Sequence, residues 1–367
     1  MKKVGHLILA FLWACSSKLP PKPHGTYGDP SVSGALNATF EKTYAETQAI
    51  EIYYATNRTK GDLQEPCTDR TFTIFRSDLV SYGTCSINVP KLHAVSVLEL
   101  AGSDRDNPHR YFIGLANHTM NSEDWLRRLV GTGKDVLIFV HGFNVAFQEA
   151  AMRAAQIAYD LKYQGPVVLF SWPAGSSSSL LESAMINRTY ELNQINAGKS
   201  VQAFMNLIRD LSDRGVRIHA IVHSMGHQVA IPALAEWGKT HEGKPPFSQL
   251  FLNAPDIDVQ AFKDAIPNLQ RASERVTVYC SYGDKAISAS ESYNQTRRLG
   301  ACAYLPDVDV INVQEIDAPL LGLGHGYYAS RAILTDMFQA LLGLDTEKRL
   351  FIRKSEPNSP ERFFLRP

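Results

Sequence analysis

The chain has 367 residues, with 37 Lys and Arg against 37 Asp and Glu, so its formal net charge is zero. That balance excludes the basic excess on which nucleic-acid binders and polybasic membrane-surface proteins depend. Hydrophobic residues at 44% against 20% charged exclude a disordered chain, and the length suffices to bury a core without staples.

The first element is an address. Met1–Lys3 form a basic start, and Val4–Ala14 follow as an apolar stretch of signal-peptide length. It is too short to span a bilayer. Leu12-Trp13-Ala14-Cys15 resembles the lipobox of bacterial lipoproteins. The resemblance implies a signal peptide over residues 1–14, cleavage before Cys15 and a diacylglycerol on its sulfur. The protein would then be anchored in the bacterial cell envelope, and Ser16 after the cysteine resembles the outer-membrane type, facing the periplasm. The next stretch, to about Gly34, is rich in Ser, Pro and Gly and reads as part of a tether over residues 15–48. Four other cysteines remain: Cys67, Cys85, Cys280 and Cys302. An exported location permits two disulfides. The shortest loops join Cys67 to Cys85 and Cys280 to Cys302; four buried free thiols are the alternative.

The folded domain is expected over residues 49–345. Residues 50–115 alternate in short runs, Glu51–Ala55, Phe72–Phe75, Ser86–Val89 and Val95–Leu98, and read as antiparallel strands at one sheet edge. Val136–Val140 is a continuous apolar run, as in a parallel strand buried on both faces. Helical patterns then alternate with strand-like runs. Helices are expected over 146–163, 190–213, 226–239 and 327–342, and strands at 167–170, 216–222, 250–252, 275–280 and 308–313. This alternation argues for an α/β fold with a mostly parallel, doubly wound sheet. Residues 346–367 are charged and contain proline, and read as a loosely attached tail.

Val222-His223-Ser224-Met225-Gly226 stands where a buried strand stops and a helix begins. A nucleophilic serine needs its hydroxyl on such a tight turn, with small neighbours on either side. Gly226 meets that need, whereas Val222 departs from the G-x-S-x-G pattern. The serine also needs a base. In the order Ser, acid, His, the base is His325, in the glycine-flanked loop Gly324-His325-Gly326; His227 and His241 lie too near the serine in sequence. Asp284, after the strand ending at Cys280, is the favoured acid to orient His325. Asp256, Asp258 and Asp317 are its rivals. An oxyanion needs preorganised donors, and the amides of Phe143, in His141-Gly142-Phe143-Asn144, and of Met225 are the candidates. Asn144 would position the loop, His141 would hold the turn, and Trp172 would line the pocket or join the core.

Gly198-Lys199-Ser200 lacks the first glycine of a phosphate loop. The elbow turn separates His223 from His227, so no metal site is expected there, and no cofactor is implied.

These motifs, with Tyr54-Ala55-Thr56-Asn57-Arg58, Ser171-Trp172-Pro173, Arg298-Leu299-Gly300 and Gly324-His325-Gly326-Tyr327-Tyr328, resemble a bacterial α/β-hydrolase family of unknown function over about residues 50–345. The resemblance implies the α/β-hydrolase fold and a Ser–Asp–His hydrolase with carboxylic esters, small-molecule or lipid, as its substrate class. An acyltransferase or thioesterase on the same site, and a non-enzymatic envelope scaffold, are the alternative readings.

Overall fold

The computed structural model describes residues 48–63, 66–100, 107–175, 186–316 and 324–367. The chain opens with β1 (Gln48–Lys60), β2 (Phe72–Val89) and β3 (Ile113–Met120). It continues with α1 (Ser122–Val130), β4 (Val136–Val140), α2 (Phe147–Asp160), β5 (Val167–Ser171) and α3 (Ile186–Ser212). The second half holds β6 (Ile218–His223), α4 (His227–Thr240), β7 (Phe247–Asn253), α5 (Val259–Ala272) and β8 (Val276–Cys280). Last come α6 (Lys285–Asn294), β9 (Asp309–Asn312), α7 (Arg331–Leu341), β10 (Ile352–Lys354) and β11 (Phe363–Leu365).

The eleven strands among the described residues form one sheet, in the order β10-β11-β9-β8-β7-β6-β4-β5-β1-β2-β3. From β9 to β1 every pairing is parallel, while β2 and β3 add antiparallel strands at the N-terminal edge. Every residue of β4, Val-Leu-Ile-Phe-Val, is buried because both faces are covered. Its side chains alternate between two cores. Val136, Ile138 and Val140 pack with apolar residues of α1, α3, α4 and α5, and Leu137 and Phe139 pack with α2 and α7.

The edge differs in detail from the sequence expectation. Residues 72–75 and 86–89 belong to one strand of 18 residues, β2, rather than to two. Phe75 and Leu79 are exposed where β2 runs beyond its pairing with β3 and its register with β1 shifts. Val95–Leu98 is not a strand: Ser96 takes φ 82° and the Val97 amide turns back to the Ala94 carbonyl at 2.9 Å. The third edge strand is β3 instead. The last helix starts later than expected, because the Ser330 hydroxyl caps it at the Ile333 amide and leaves residues 327–329 as a single tight turn.

The C-terminal residues are not a loose tail. β11 pairs parallel with β9, β10 closes a hairpin on β11, and Ile352, Phe363 and Leu365 are buried. The alternation in this segment is only three residues per strand, too short to stand out among its charges. Cys67 is joined to Cys85, and Cys280 to Cys302, with Cα separations of 5.9 and 5.1 Å. The first bond ties the β1–β2 connection to β2; the second ties the end of β8 to the chain leading into β9. The signal peptide, Cys15 and the tether through residue 47 lie outside the described residues.

Candidate active site

β4, β6, β8 and β9 run parallel, so their carboxyl ends gather on one rim of the sheet. There Ser224 follows β6 with φ 52°. This left-handed conformation is uncommon outside glycine. Such strain sits where the surrounding structure holds it in place. The chain then enters a tight turn over Ser224–Gly226 and α4.

The close approach that a G-x-S-x-G elbow builds on its own strand is here supplied by the neighbouring loop. Val222 stays in the core, paired with Val140 and Leu252. A Cβ on Gly142 would lie 2.8 Å from the Ser224 Cβ and 3.0 Å from His223 Nδ1. One on Gly226 would lie 2.6 Å from the His141 carbonyl oxygen. Neither position has room for a side chain.

His325 comes from the loop between β9 and α7. Its Nε2 lies 2.8 Å from Ser224 Oγ and its Nδ1 lies 2.7 Å from Asp284 Oδ2. Because a carboxylate can only accept, Nδ1 carries the hydrogen and Nε2 is free to accept from the serine. Asp284 is fully buried at the end of β8, and its other oxygen accepts from the Ile287 amide at 3.0 Å to cap α6. Ser224, His325 and Asp284 thus form one hydrogen-bonded chain.

The rival carboxylates go elsewhere. Asp256 accepts from the hydroxyls of Tyr190 at 2.7 Å and Ser290 at 2.5 Å, with Arg298 Nε 3.4 Å away. Asp258 caps α5 at the Ala261 amide. Asp317 lies outside the described residues. Among the other histidines, His227 Nδ1 donates to the Ser224 carbonyl at 2.7 Å and its ring is buried; His241 stacks on Trp237.

The supporting residues are mostly brought to the same rim. His223 donates from Nε2 to the His325 carbonyl at 3.2 Å, and its ring stacks on Tyr328 with centroids 4.0 Å apart. It therefore holds the backbone of His325. Burial, then the nearby His325, keep its pKa well below the ordinary histidine value. His141 donates from Nδ1 to the Gly142 carbonyl at 3.0 Å, and burial followed by the charge of Arg58 pulls its pKa down to about 3. Trp172 does not line a pocket: it is fully buried, donates to the His141 carbonyl at 2.8 Å and stacks on the His141 ring. Asn144 adopts φ 54°, and its amide donates to Asn193 Oδ1 at 3.1 Å. Phe143 is half-buried against Tyr190, and Met225 is fully buried.

The roles of two residues of this site escaped the sequence reading. Asn193 bridges the Asn144 amide and both backbone groups of Gly175. Arg58, in β1 between β5 and β2, reaches both ends of the 141–145 stretch. Arg58 closes the run Tyr54–Arg58 that carries part of the family resemblance, but nothing in the local pattern of that run or of α3 points to these contacts. Among the described residues no group of three His, Cys, Asp or Glu side chains could hold a metal ion.

Set against known families, residues 118–344 match an α/β hydrolase of unknown function (DUF900). The matched stretch begins within β3, so β1 and β2 lie outside it. No curated protein and no solved structure matches the chain.

Proposed function

The chain belongs to that family of α/β hydrolases, and on that premise we propose that it is a serine hydrolase cleaving carboxylic esters through Ser224, His325 and Asp284. The observation that carries this reading is the continuous contact from Ser224 Oγ to His325 Nε2 at 2.8 Å and from His325 Nδ1 to Asp284 Oδ2 at 2.7 Å. Ser224 Oγ attacks the acyl carbon while His325 Nε2 takes its proton. The tetrahedral oxyanion is held by the amides of Phe143 and Met225. His325 returns the proton to the departing alkoxide, leaving an acyl-serine. Water, deprotonated by the same nitrogen, then attacks the acyl-serine, and its proton returns to Ser224 as the acid leaves. Asp284 remains ionised throughout and stabilises the imidazolium that each step forms.

Fluorophosphonate labelling and p-nitrophenyl ester hydrolysis test this directly. Ser224→Ala should abolish both and leave the unfolding midpoint within a few degrees. Labelling that persists in the variant overturns the assignment. Products formed with added alcohols or thiols, in preference to water, would turn the reading towards acyl transfer.

The proposal extends to the anchor. The lipobox-like sequence ending at Cys15 supports a lipid-anchored protein of the bacterial envelope, and two disulfides fit an oxidising compartment. Cys15→Ser should stop incorporation of labelled palmitate and release the protein to the soluble fraction; a variant still labelled with palmitate refutes the anchor.

A further inference from the structure

Arg58 is a fully buried cation, and among the described residues no carboxylate is in contact with it. Each of its donors is nonetheless used. Nε donates to Ser171 Oγ at 2.8 Å, and Nη1 donates to the carbonyls of Ala174 at 2.8 Å and Thr73 at 3.3 Å. Nη2 donates to the Val145 carbonyl at 2.8 Å and to His141 Nε2 at 3.3 Å. His141 can accept there because its Nδ1 already donates to Gly142. A buried charge persists only where its hydrogen bonds are met, and here all the acceptors are neutral. The guanidinium therefore grips both ends of the stretch 141–145 and ties it to residues 171 and 174. Gly142 and Phe143 lie between the two grips, and Gly142 is packed directly against Ser224.

We propose that Arg58 is the positioning residue of the oxyanion loop: its planar fork fixes the stretch 141–145, and with it the Phe143 amide, against Ser224. This rests on the serine-hydrolase reading above. Burial lowers the guanidinium to about 9, opposed by the charge of Asp69 acting from a distance, so the group is protonated at neutral pH. A lysine keeps the charge but cannot reproduce the fork. A rigid loop that lost these ties would still bind substrate but would hold the donor loosely, and the loss should fall on the transition state rather than on ground-state binding.

The test measures kcat and KM for p-nitrophenyl acetate, the rate of fluorophosphonate labelling and the unfolding midpoint. The variants are Arg58→Lys, Arg58→Ala and Ser171→Ala. In folded Arg58→Lys and Arg58→Ala, kcat and the labelling rate should fall by about 10²-fold, comparable to loss of an oxyanion donor, with KM little changed. Added guanidinium ion should restore part of the kcat of Arg58→Ala and none of that of Arg58→Lys, whose amine occupies the space. Ser171→Ala removes one acceptor with little disturbance and should lose kcat several-fold at unchanged KM. Wild-type kcat in either folded Arg58 variant, or a rise in KM without loss of kcat, overturns the proposal. If neither Arg58 variant folds, an unchanged kcat in Ser171→Ala overturns it. Absence of wild-type labelling at Ser224 would instead sink the hydrolase reading on which it rests.

Discussion

Asp284 holds the His325 Nδ1 at 2.7 Å with one carboxylate oxygen while the other caps α6. The helix thereby fixes the carboxylate, and the carboxylate fixes the tautomer of the imidazole. Asp284→Asn retains an oxygen for the cap but presents an amide to the ring, which favours the wrong tautomer. On the proposed mechanism kcat should fall by about 10⁴-fold with little change in the unfolding midpoint. Asp256→Asn, whose carboxylate meets Tyr190, Ser290 and Arg298, should leave most of the rate. Steady-state kinetics of the two variants decide between the acids, and the reverse order would move the acid to the loop after β7.

The two glycines around the serine should respond differently. A methyl at Gly142 meets the Ser224 Cβ at 2.8 Å, so Gly142→Ala displaces the proposed nucleophile. A shift of this kind can cost about 10²-fold in rate. A methyl at Gly226 meets backbone, the His141 carbonyl, at 2.6 Å. Overpacking against an unyielding group costs about 1–3 kcal/mol, so Gly226→Ala should lower the unfolding midpoint as well as the rate. Parallel labelling and thermal-melt measurements separate the two effects.

Stability should fall on both sides of neutral pH. Burial draws His141 and His227 down to about 3 from the ordinary 6.5. The unfolded chain then binds protons that the folded chain refuses. Their contribution is present above about pH 6.5 and is lost as pH falls towards 3. His93 behaves oppositely. Burial disfavours its charge, but hydrogen bonds and charge from Asp160 and Glu99 outweigh this and raise its pKa to about 9. Its contribution is complete below about 6.5 and is lost as pH rises through about 9. Unfolding midpoints across this range should pass through a maximum near neutrality, and His93→Gln should flatten the alkaline limb; an unchanged limb would exclude His93 as its cause.

The C-terminal segment should be indispensable. Arg349 is buried and bonds Asp336 at 2.8 Å, and Asp336 also accepts from Tyr279 at 2.6 Å. Arg349→Met leaves a buried carboxylate unpaired, at a cost of about 3–5 kcal/mol. Deleting residues 346–367 additionally bares the edge of β9. Urea unfolding of the point variant should show the loss at an unchanged slope, and the truncated chain should aggregate.

Each disulfide should matter to a similar degree. Loops of 18 and 22 residues correspond to about 3 kcal/mol each in the chain-entropy account. Cys67→Ser with Cys85→Ser, and the matching pair at Cys280 and Cys302, should each shift the urea midpoint by that amount; no shift would mean the bonds restrain little in the unfolded chain.

Much of the fold was legible because its signals are local. Residues 136–140 and 167–170 are apolar throughout, as strands covered on both faces must be, and the helices over α2, α3 and α4 carry an apolar stripe. α1, α5 and α6 went unread. α5 has the right stripe in Phe262, Ala265, Ile266 and Leu269, but Pro267 interrupts it. β10 and β11 are too short for alternation to register, and their burial comes from pairing with β9. The long β2 was divided because its exposed middle carries polar residues that read as a turn.

By itself, the sequence determined which residue types stand at strand ends: a serine between a buried run and a helix, a histidine between glycines, an aspartate after β8. Their chemistry and order along the chain follow from local pattern alone. Tertiary structure decided which aspartate faces the histidine, that Gly142 rather than Val222 makes room for the serine, and that Trp172 stacks inside. It also recruited Arg58, more than 80 positions from the loop it grips. Local pattern records the periodicity of burial along one element. Contacts made across the ends of several strands depend on how those strands are ordered in the sheet, and that order is fixed only when the cores on both faces close.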